Sequence, residues 1–416
     1  MLALDRREFI GMAGAAAMVS PFGSSAVTAV PELAPIGNKA VPISVAEREA
    51  RIARVQKLMR EQGLSAILIE PGSSLLYFTG VRWGRSERLT GAVIPAEGRI
   101  GVFTPFFEEP SVRESLAVPA DLRTWNEHED PLKLVGGWLK ELRLGSGTIG
   151  VEETVRYFAV DGLQRALPGV SIRSAAPVVR AVRMIKSPAE IALMQLATDI
   201  TIAAYRHTYP RIQSGMTPAE IGAIMNQATT ALGGRPEFAL VLLGEASAYP
   251  HGTGKPQAVK EGEIVLMDCG CNVQGYQSDV SRTFVFGEPT KRQCQVWTHM
   301  HRGQQIAFEA AKVGVPAGSV DDAVRRYYGK LGYGPDYKLP GLSHRTGHGI
   351  GLDGHEPVNF VRGEKTLLAP GMCFSDEPGI YIPGEFGIRL EDCLYMTPSG
   401  PRWFSTPPPS IDRPFG

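Results

Sequence analysis

The sequence predicts two domains: an α/β N-terminal domain, then an α+β domain made of two similar halves about a pseudo-two-fold axis. Three observations predict this. Strand and helix signals alternate through the first part of the chain. In the second part, a pair of helices followed by a β-hairpin occurs twice, and each hairpin carries acidic residues inside otherwise apolar strands.

The first residues read as an address. "LDRREFIGMAGAAAMVSPFGSSAVTAV" has paired Arg6 and Arg7, an Ala/Gly-rich apolar run and small residues up to Ala29. That is the layout of a secretory signal, and Arg-Arg-x-Phe-Ile resembles the bacterial twin-arginine type. Residues 1–29 are therefore expected to direct export to the periplasm and to be removed. The apolar run is too short for a comfortable membrane span, so no membrane association is expected afterwards.

The N-terminal domain is expected over 43–180. From Val45 to Gly63, "VAEREARIARVQKLMREQG" predicts an amphipathic helix stopped by its glycine. "SAILIE" predicts a buried strand, followed by strands in "TGAVIPA" and "RIGVFTP", a helix in "DPLKLVGGWLKEL", a strand in "TIGVE" and a helix in "TVRYFAVDGLQRAL".

The second domain is expected over 184–402, with a Pro-rich tail at 403–416. Ser187-Pro188-Ala189-Glu190 and Thr217-Pro218-Ala219-Glu220 are capping boxes that open helices over about 187–211 and 217–232. The hairpin "GEIVLMDCG" to "SDVSRTFVFG" turns across "NVQGY". Two further helices follow, about 290–313 and 319–331, the latter opened by Ser319-Val320-Asp321-Asp322. The second hairpin, "MCFSDEPGIYI" to "GIRLEDCLYMT", turns across "PGEF".

Composition excludes some function classes. Lys+Arg and Asp+Glu both number 43, with no block of like charge, so neither nucleic acid nor an acidic membrane surface is the expected partner. The five cysteines, an odd number, predict no disulfide framework and read as small core residues.

Three of the eight histidines fall in "SHRTGHGIGLDGHEP": His344, His348 and His355. A zinc-protease helix is excluded, because Arg345 stands where H-E-x-x-H needs Glu and four glycines oppose a helix. The histidines are therefore expected on a loop or strand. The candidate partners are Asp268, Asp279, Glu377 and Glu391, one pair per hairpin. Any one of them taken singly fits a salt bridge or a solvated strand end better; four clustered in a cleft would repel unless cations held them. With His348 they form an oxygen-rich set suited to manganese or related divalent ions, and water between two such ions is a strong nucleophile near neutral pH.

These motifs resemble the pita-bread metallopeptidases: Xaa-Pro aminopeptidase, prolidase (Xaa-Pro dipeptidase) and their relative creatinase. The resemblance rests on "MIKSPAEIALM", "YPHGTG", "LMDCGCNVQGYQSDVSRTF", "GHGIGLDGHEP", "SDEPGIYI" and "GIRLED", and spans about residues 45–400. It implies a creatinase-like N-terminal domain, a pita-bread catalytic domain and a dinuclear metal site ligated by Asp268, Asp279, His348, Glu377 and Glu391. The implied metal is manganese first, with cobalt or zinc possible.

The implied reaction is cleavage of Xaa-Pro bonds in short peptides by a metal-bridging hydroxide. Glu377 would also act as general base. His355 would bind the scissile-bond region, and His251 would stabilise the tetrahedral intermediate. His344 matches either a proton shuttle or a supporting group. Arg389 matches an arginine that orients the acids. The resemblance also implies a homodimer, in which Trp83 either reaches the neighbouring active site or packs at an interface. The alternatives are a pita-bread enzyme acting on a non-peptide substrate (a creatinase-like amidinohydrolase or a dimethylsulfoniopropionate-type lyase), a non-catalytic binding module, or a structural calcium site. Creatinase works without metal and binding modules lose ligands, which the full ligand set disfavours. Calcium prefers all-oxygen shells, which His348 disfavours.

Overall fold

The computed structural model describes residues 33–415; the expected export signal lies outside them. Ser44 caps α1 (Val45–Gln62) by accepting from Glu47 N at 3.1 Å, and Gly63, at φ 69°, ends it as expected. The strands β1 (Ala66–Ile69), β2 (Gly91–Pro95), β3 (Ile100–Pro105), β4 (Ala120–Trp125), β5 (Thr148–Val151) and β6 (Ser171–Ser174) form one mixed sheet, in the order β4-β3-β2-β1-β5-β6. Helices α2 (Ser73–Thr79), α3 (Glu109–Ser115), α4 (Pro131–Glu141), α5 (Tyr157–Ala166) and α6 (Ala176–Arg183) connect and cover it. Alternation along β1 explains how the sheet is buried. Leu68 faces Val93, Phe103, Trp138 and Leu163 on one side, while Ile67 and Ile69 join a core that continues into the second domain. The sequence reading passed over α2, α3, β4, β6 and α6, which are short or, like β4 and β6, largely unburied.

The second domain opens at the Ser187 capping box, where Ser187 N donates to Glu190 at 2.9 Å and Glu190 N donates back at 3.3 Å. Helices α7 (Pro188–Thr208) and α8 (Pro218–Ala231) lead into β7 (Arg235–Leu243), β8 (Ile264–Val273), β9 (Tyr276–Gln277) and β10 (Val280–Val285). A further capping box, Thr290 with Gln293, starts α9 (Lys291–Ala310).

The start of α10 (Gly318–Lys330) corrects the sequence reading: Ser319 is not its cap. Ser319 Oγ donates to Pro316 O at 2.7 Å. Asp321, buried, instead accepts from Thr346 N and Oγ1 at 3.2 and 2.8 Å and from Arg325 Nε at 2.7 Å. That acid ties the helix to the segment carrying His348.

The second β region comprises β11 (Gly347–Gly349), β12 (Glu356–Phe360), β13 (Cys373–Asp376), β14 (Gly379–Ile382), β15 (Phe386–Arg389), β16 (Asp392–Thr397) and β17 (Gly400–Trp403). The two β regions meet where Ser281 and Glu391 exchange backbone hydrogen bonds at 3.2 and 3.1 Å. Beside that bridge Arg282 and Asp392, both buried, pair at 2.7 Å. Residues 403–415 lie against this domain, with Phe415 packed on Tyr205 and Tyr209. Cys269, Cys271, Cys373 and Cys393 are free and buried, and Cys294 is partly exposed. Trp83 is half-buried against the core. Among the described residues no helix is long and apolar enough to cross a membrane.

Candidate active site

Each candidate ligand occupies a place the local sequence dictates. Asp268 interrupts the apolar run of β8, opposite Ser281 of β10. Asp279 lies in the break between β9 and β10. Glu377 falls between β13 and β14, where Pro378, lacking an N–H, interrupts the ladder. Glu391 lies in the matching break between β15 and β16. His348 is the centre of β11, as the exclusion of a helix required.

The glycines flanking His348 respond to neighbouring strands rather than to a metal. A Cβ on Gly347 would lie 2.2 Å from Ser375 O, and one on Gly349 would lie 2.6 Å from Glu356 O. The strand is squeezed between β12 and β13, and only glycine fits.

The fold brings the ligands together. Asp279, His348 and Glu391 each offer a donor atom within 4.8 Å of the other two, and all three are buried. His348 Nε2 is 3.2 Å from Glu377 Oε1 and 3.7 Å from Asp279 Oδ2. Asp268 is held beside them by Arg389 Nη2, 2.7 Å from its Oδ2.

Polar bookkeeping shows what this cluster lacks. Asp268 Oδ1, Asp279 Oδ1 and Glu391 Oε1 are buried without a hydrogen-bond partner among the described residues. Burial, then neighbouring Asp268 and Glu377, pushes the Asp279 carboxyl far above the carboxylate range. Burial, then Asp279 and Glu377, does the same to Glu391. Burial raises Glu377 to about 7 despite the opposing charge of Arg389.

His348 Nδ1–H donates to Gly349 O at 3.0 Å, which leaves the Nε2 lone pair facing carboxylate oxygens. Burial, then His355, holds that imidazole well below its ordinary range and hence neutral. Lone pair against carboxylate is repulsive, and orphaned buried oxygens are costly. Both faults are cured by divalent cations, so the residues present fit a metal site.

Arg389 organises the surroundings. Its Nε donates to Ser281 Oγ at 3.0 Å, and Ser281 Oγ–H donates to Glu391 Oε2 at 2.8 Å. Its Nη1 donates to Pro250 O and to Tyr381 Oη at 3.1 and 3.2 Å. The Tyr381 hydroxyl stands 2.8 Å from His344 Nε2, while His344 Nδ1 lies 2.7 Å from Arg345 O. Because a carbonyl only accepts, Nδ1 carries the proton and Tyr381 donates to Nε2. Burial, then the charge of Arg389, holds the His344 imidazole at about 3.

Tyr381 and Ser281 escaped the sequence reading, since nothing in a strand pattern tells a hydrogen-bonding side chain from a packed one. Asp376 escaped it too: fully buried, both its oxygens lack partners among the described residues, and burial, then Asp392, keeps its carboxyl far above the usual range and neutral.

The remaining histidines flank the cluster. His355 is exposed, its ring edge-on to His348 with centroids 4.1 Å apart. Burial of part of the ring, then the Arg345 charge, lowers its basicity. His251 is exposed on the loop whose Pro250 carbonyl Arg389 holds, and it lines a groove along Leu240 and Leu242 of β7.

Comparison with known proteins agrees with this arrangement. Residues 192–398 match the model of metallopeptidase family M24, and residues 51–185 match the creatinase/prolidase N-terminal domain. The chain is 35% identical over 356 residues to the probable dipeptidase PepE of Mycobacterium tuberculosis, covering 84% of this chain and 92% of the relative. It is 28% identical over 353 residues to the Xaa-Pro dipeptidase of Pyrococcus horikoshii, covering 84% and 95%. The crystal structure of dipeptidase PepE from Mycobacterium ulcerans superimposes with a TM-score of 0.81 at 32% identity, covering 89% of this chain and 99% of that one. With its N-terminal creatinase/prolidase domain, its pita-bread second domain and its paired carboxylates around one buried histidine, the chain belongs to metallopeptidase family M24 and is a metallopeptidase.

Proposed function

We propose that the protein hydrolyses Xaa-Pro bonds in short peptides, above all dipeptides, using two divalent ions held by Asp268, Asp279, His348, Glu377 and Glu391. The observations that carry the metal site are the unpartnered carboxylate oxygens of Asp268, Asp279 and Glu391 and the His348 Nε2 lone pair, which faces oxygens of Asp279, Glu377 and Glu391. Proline and dipeptide preference rest on the likeness to a probable dipeptidase and to an Xaa-Pro dipeptidase. Bound there, two divalent ions, manganese first and cobalt or zinc next, would supply Lewis acidity and a hydroxide nucleophile at neutral pH.

The chain's own groups supply the rest. Glu377, next to His348, takes a proton at its carboxylate from the attacking water and delivers it to the leaving nitrogen. His355 and His251, both exposed beside the ligands, bind the substrate about the scissile bond, with His251 donating toward the developing oxyanion. Arg389 keeps Asp268 and Glu391 in place directly and through Ser281. Tyr381 keeps His344 in one tautomer.

The test is hydrolysis of a panel of Xaa-Pro di- and tripeptides by metal-stripped protein before and after addition of manganese, cobalt or zinc. Metal-dependent release of proline from the dipeptides is expected. Equal activity in stripped and reconstituted protein would exclude the mechanism. Export to the periplasm through residues 1–29 and assembly as a homodimer belong to the same proposal; cell fractionation and light scattering check them.

A further inference from the structure

His355 stands at the end of the turn Gly351-Leu352-Asp353-Gly354, in the connection from β11 to β12. Its ring is exposed and packs edge-on against His348, so its place depends on the backbone that carries it. Two glycines in four residues make that backbone pliant.

The catalytic domain holds the inner side of the turn. Glu356 Oε1 accepts from Leu352 N and Asp353 N at 3.0 and 3.3 Å. Gln277 of β9 donates from its backbone N to Gly351 O at 2.8 Å and from Nε2 to Leu352 O at 3.1 Å. These bonds reach along the chain as far as Asp353, two residues short of His355.

On the outer side the Asp353 carboxylate crosses to the N-terminal domain. Its Oδ1 accepts from Ser73 Oγ at the start of α2. Its Oδ2 accepts from Arg183 Nη2, at the end of α6, at 2.7 Å. Arg183 is itself fixed, donating to Ser74 Oγ at 3.1 Å and pairing with Glu356 at 2.6 Å. The Asp353 side chain is 49% exposed, and pairs so open to water contribute little to global stability. The domains are locked instead by the buried Glu356 with Arg183 and Lys186. What the Asp353 crossing supplies is direction. A planar carboxylate gripped at both oxygens by separate donors fixes how the chain leaves Asp353, and that sets where His355 points.

We propose that Asp353 is a positioning residue: through it, Ser73 and Arg183 of the N-terminal domain hold the His355 imidazole at the ligand cluster. The catalytic site is thus completed by the neighbouring domain of the same chain. The inference rests on the peptidase reading above, in which His355 binds the substrate.

The experiment compares full-length, manganese-saturated wild type, Asp353→Ala, Ser73→Ala, Ser73→Thr, His355→Ala and the Asp353→Ala/His355→Ala double variant. The readouts are kcat and KM on Ala-Pro, metal content, and hydrogen exchange of the 351–355 amides. Asp353→Ala is expected to lower kcat about 10- to 100-fold with KM and metal content little changed, because a small misplacement at a reacting centre costs that much. Ser73→Ala is expected to show a smaller loss, and Ser73→Thr, which keeps the hydroxyl, to restore turnover. In the His355→Ala background Asp353→Ala is expected to cost nothing further, since an imidazole that is gone cannot be misplaced. The 351–355 amides are expected to exchange faster in Asp353→Ala and Ser73→Ala than in wild type.

Wild-type kcat or wild-type exchange in Asp353→Ala overturns the inference. So does loss of metal in that variant, which would make Asp353 a support of the ligands, or a kcat loss that adds in full to that of His355→Ala. Wild type that holds metal yet cleaves no Ala-Pro overturns the peptidase reading; faster exchange in the variants then still supports the clamp, and unchanged exchange overturns it as well. Should Asp353→Ala unfold, loss in Ser73→Ala with recovery in Ser73→Thr supports the inference, and full turnover in Ser73→Ala overturns it.

Discussion

Arg389 Nη2 lies 2.7 Å from Asp268 Oδ2, and this pair joins the two halves of the catalytic domain at the candidate metal cluster, Asp268 coming from β8 and Arg389 from β15. The same guanidinium reaches Glu391 through Ser281 and His344 through Tyr381. One planar group therefore sets five side chains, three directly and two through them, a task that an ammonium with a single charge centre performs poorly. Arg389→Lys is expected to keep the fold and lower kcat roughly 10- to 100-fold with KM little changed, measured on metal-saturated enzyme. Wild-type turnover in that variant would remove Arg389 from the positioning role.

His348→Ala and Asp279→Ala take away a buried donor each. Both are expected to abolish hydrolysis, to bind less metal by elemental analysis, and to keep native-like circular dichroism. Full activity in either variant would refute the ligand assignment.

His355→Ala separates substrate contact from metal binding. Its ring touches His348 but is exposed, and it is not among the three tightly grouped donors. A large loss of kcat with wild-type metal content is expected. Loss of metal instead would make His355 a ligand.

Glu356 supports a pH prediction. It is buried and accepts from Arg183 at 2.6 Å, from Lys186 at 2.8 Å and from Leu352 N at 3.0 Å. Burial opposes its ionisation, but Lys186 and Arg183 outweigh that and hold its pKa at about 2 against an ordinary 4.5. The folded protein thus binds fewer protons than the unfolded chain between those values. The stabilisation is complete above pH 4.5 and fades as pH falls toward about 2. Glu356→Gln leaves two buried cations short of a counter-charge and is expected to cost about 3–5 kcal/mol at neutral pH. Thermal midpoints of the two proteins should converge as the medium is acidified through that window. A gap independent of pH would show that packing, not charge, accounts for the loss.

Much of the site was legible because its parts carry strong local signatures. Carboxylates inside the apolar strands of "LMDCG" and "LEDCLYM" break a pattern that desolvation otherwise enforces, and glycines on both sides of His348 exclude a helix. Capping boxes at Ser187 and Thr217 mark helix starts through hydrogen bonds between residues three apart in sequence. Where a signature was ambiguous, the reading failed: "SVDD" looks like a cap, but Asp321 is drawn away to Thr346 by a partner remote in sequence. Tyr381 and Ser281 have no local signature at all.

The sequence by itself determined the two-domain plan, the order of the longer elements, the candidate ligand residues and, through its motifs, the family. Each depends on residue type and on contacts between near neighbours along the chain. Tertiary structure alone decided that Arg389 grips Asp268 and that Glu356 locks to Arg183 and Lys186 at the domain junction. Those relations join residues far apart in sequence, and periodicity carries no record of which distant strands come to lie side by side.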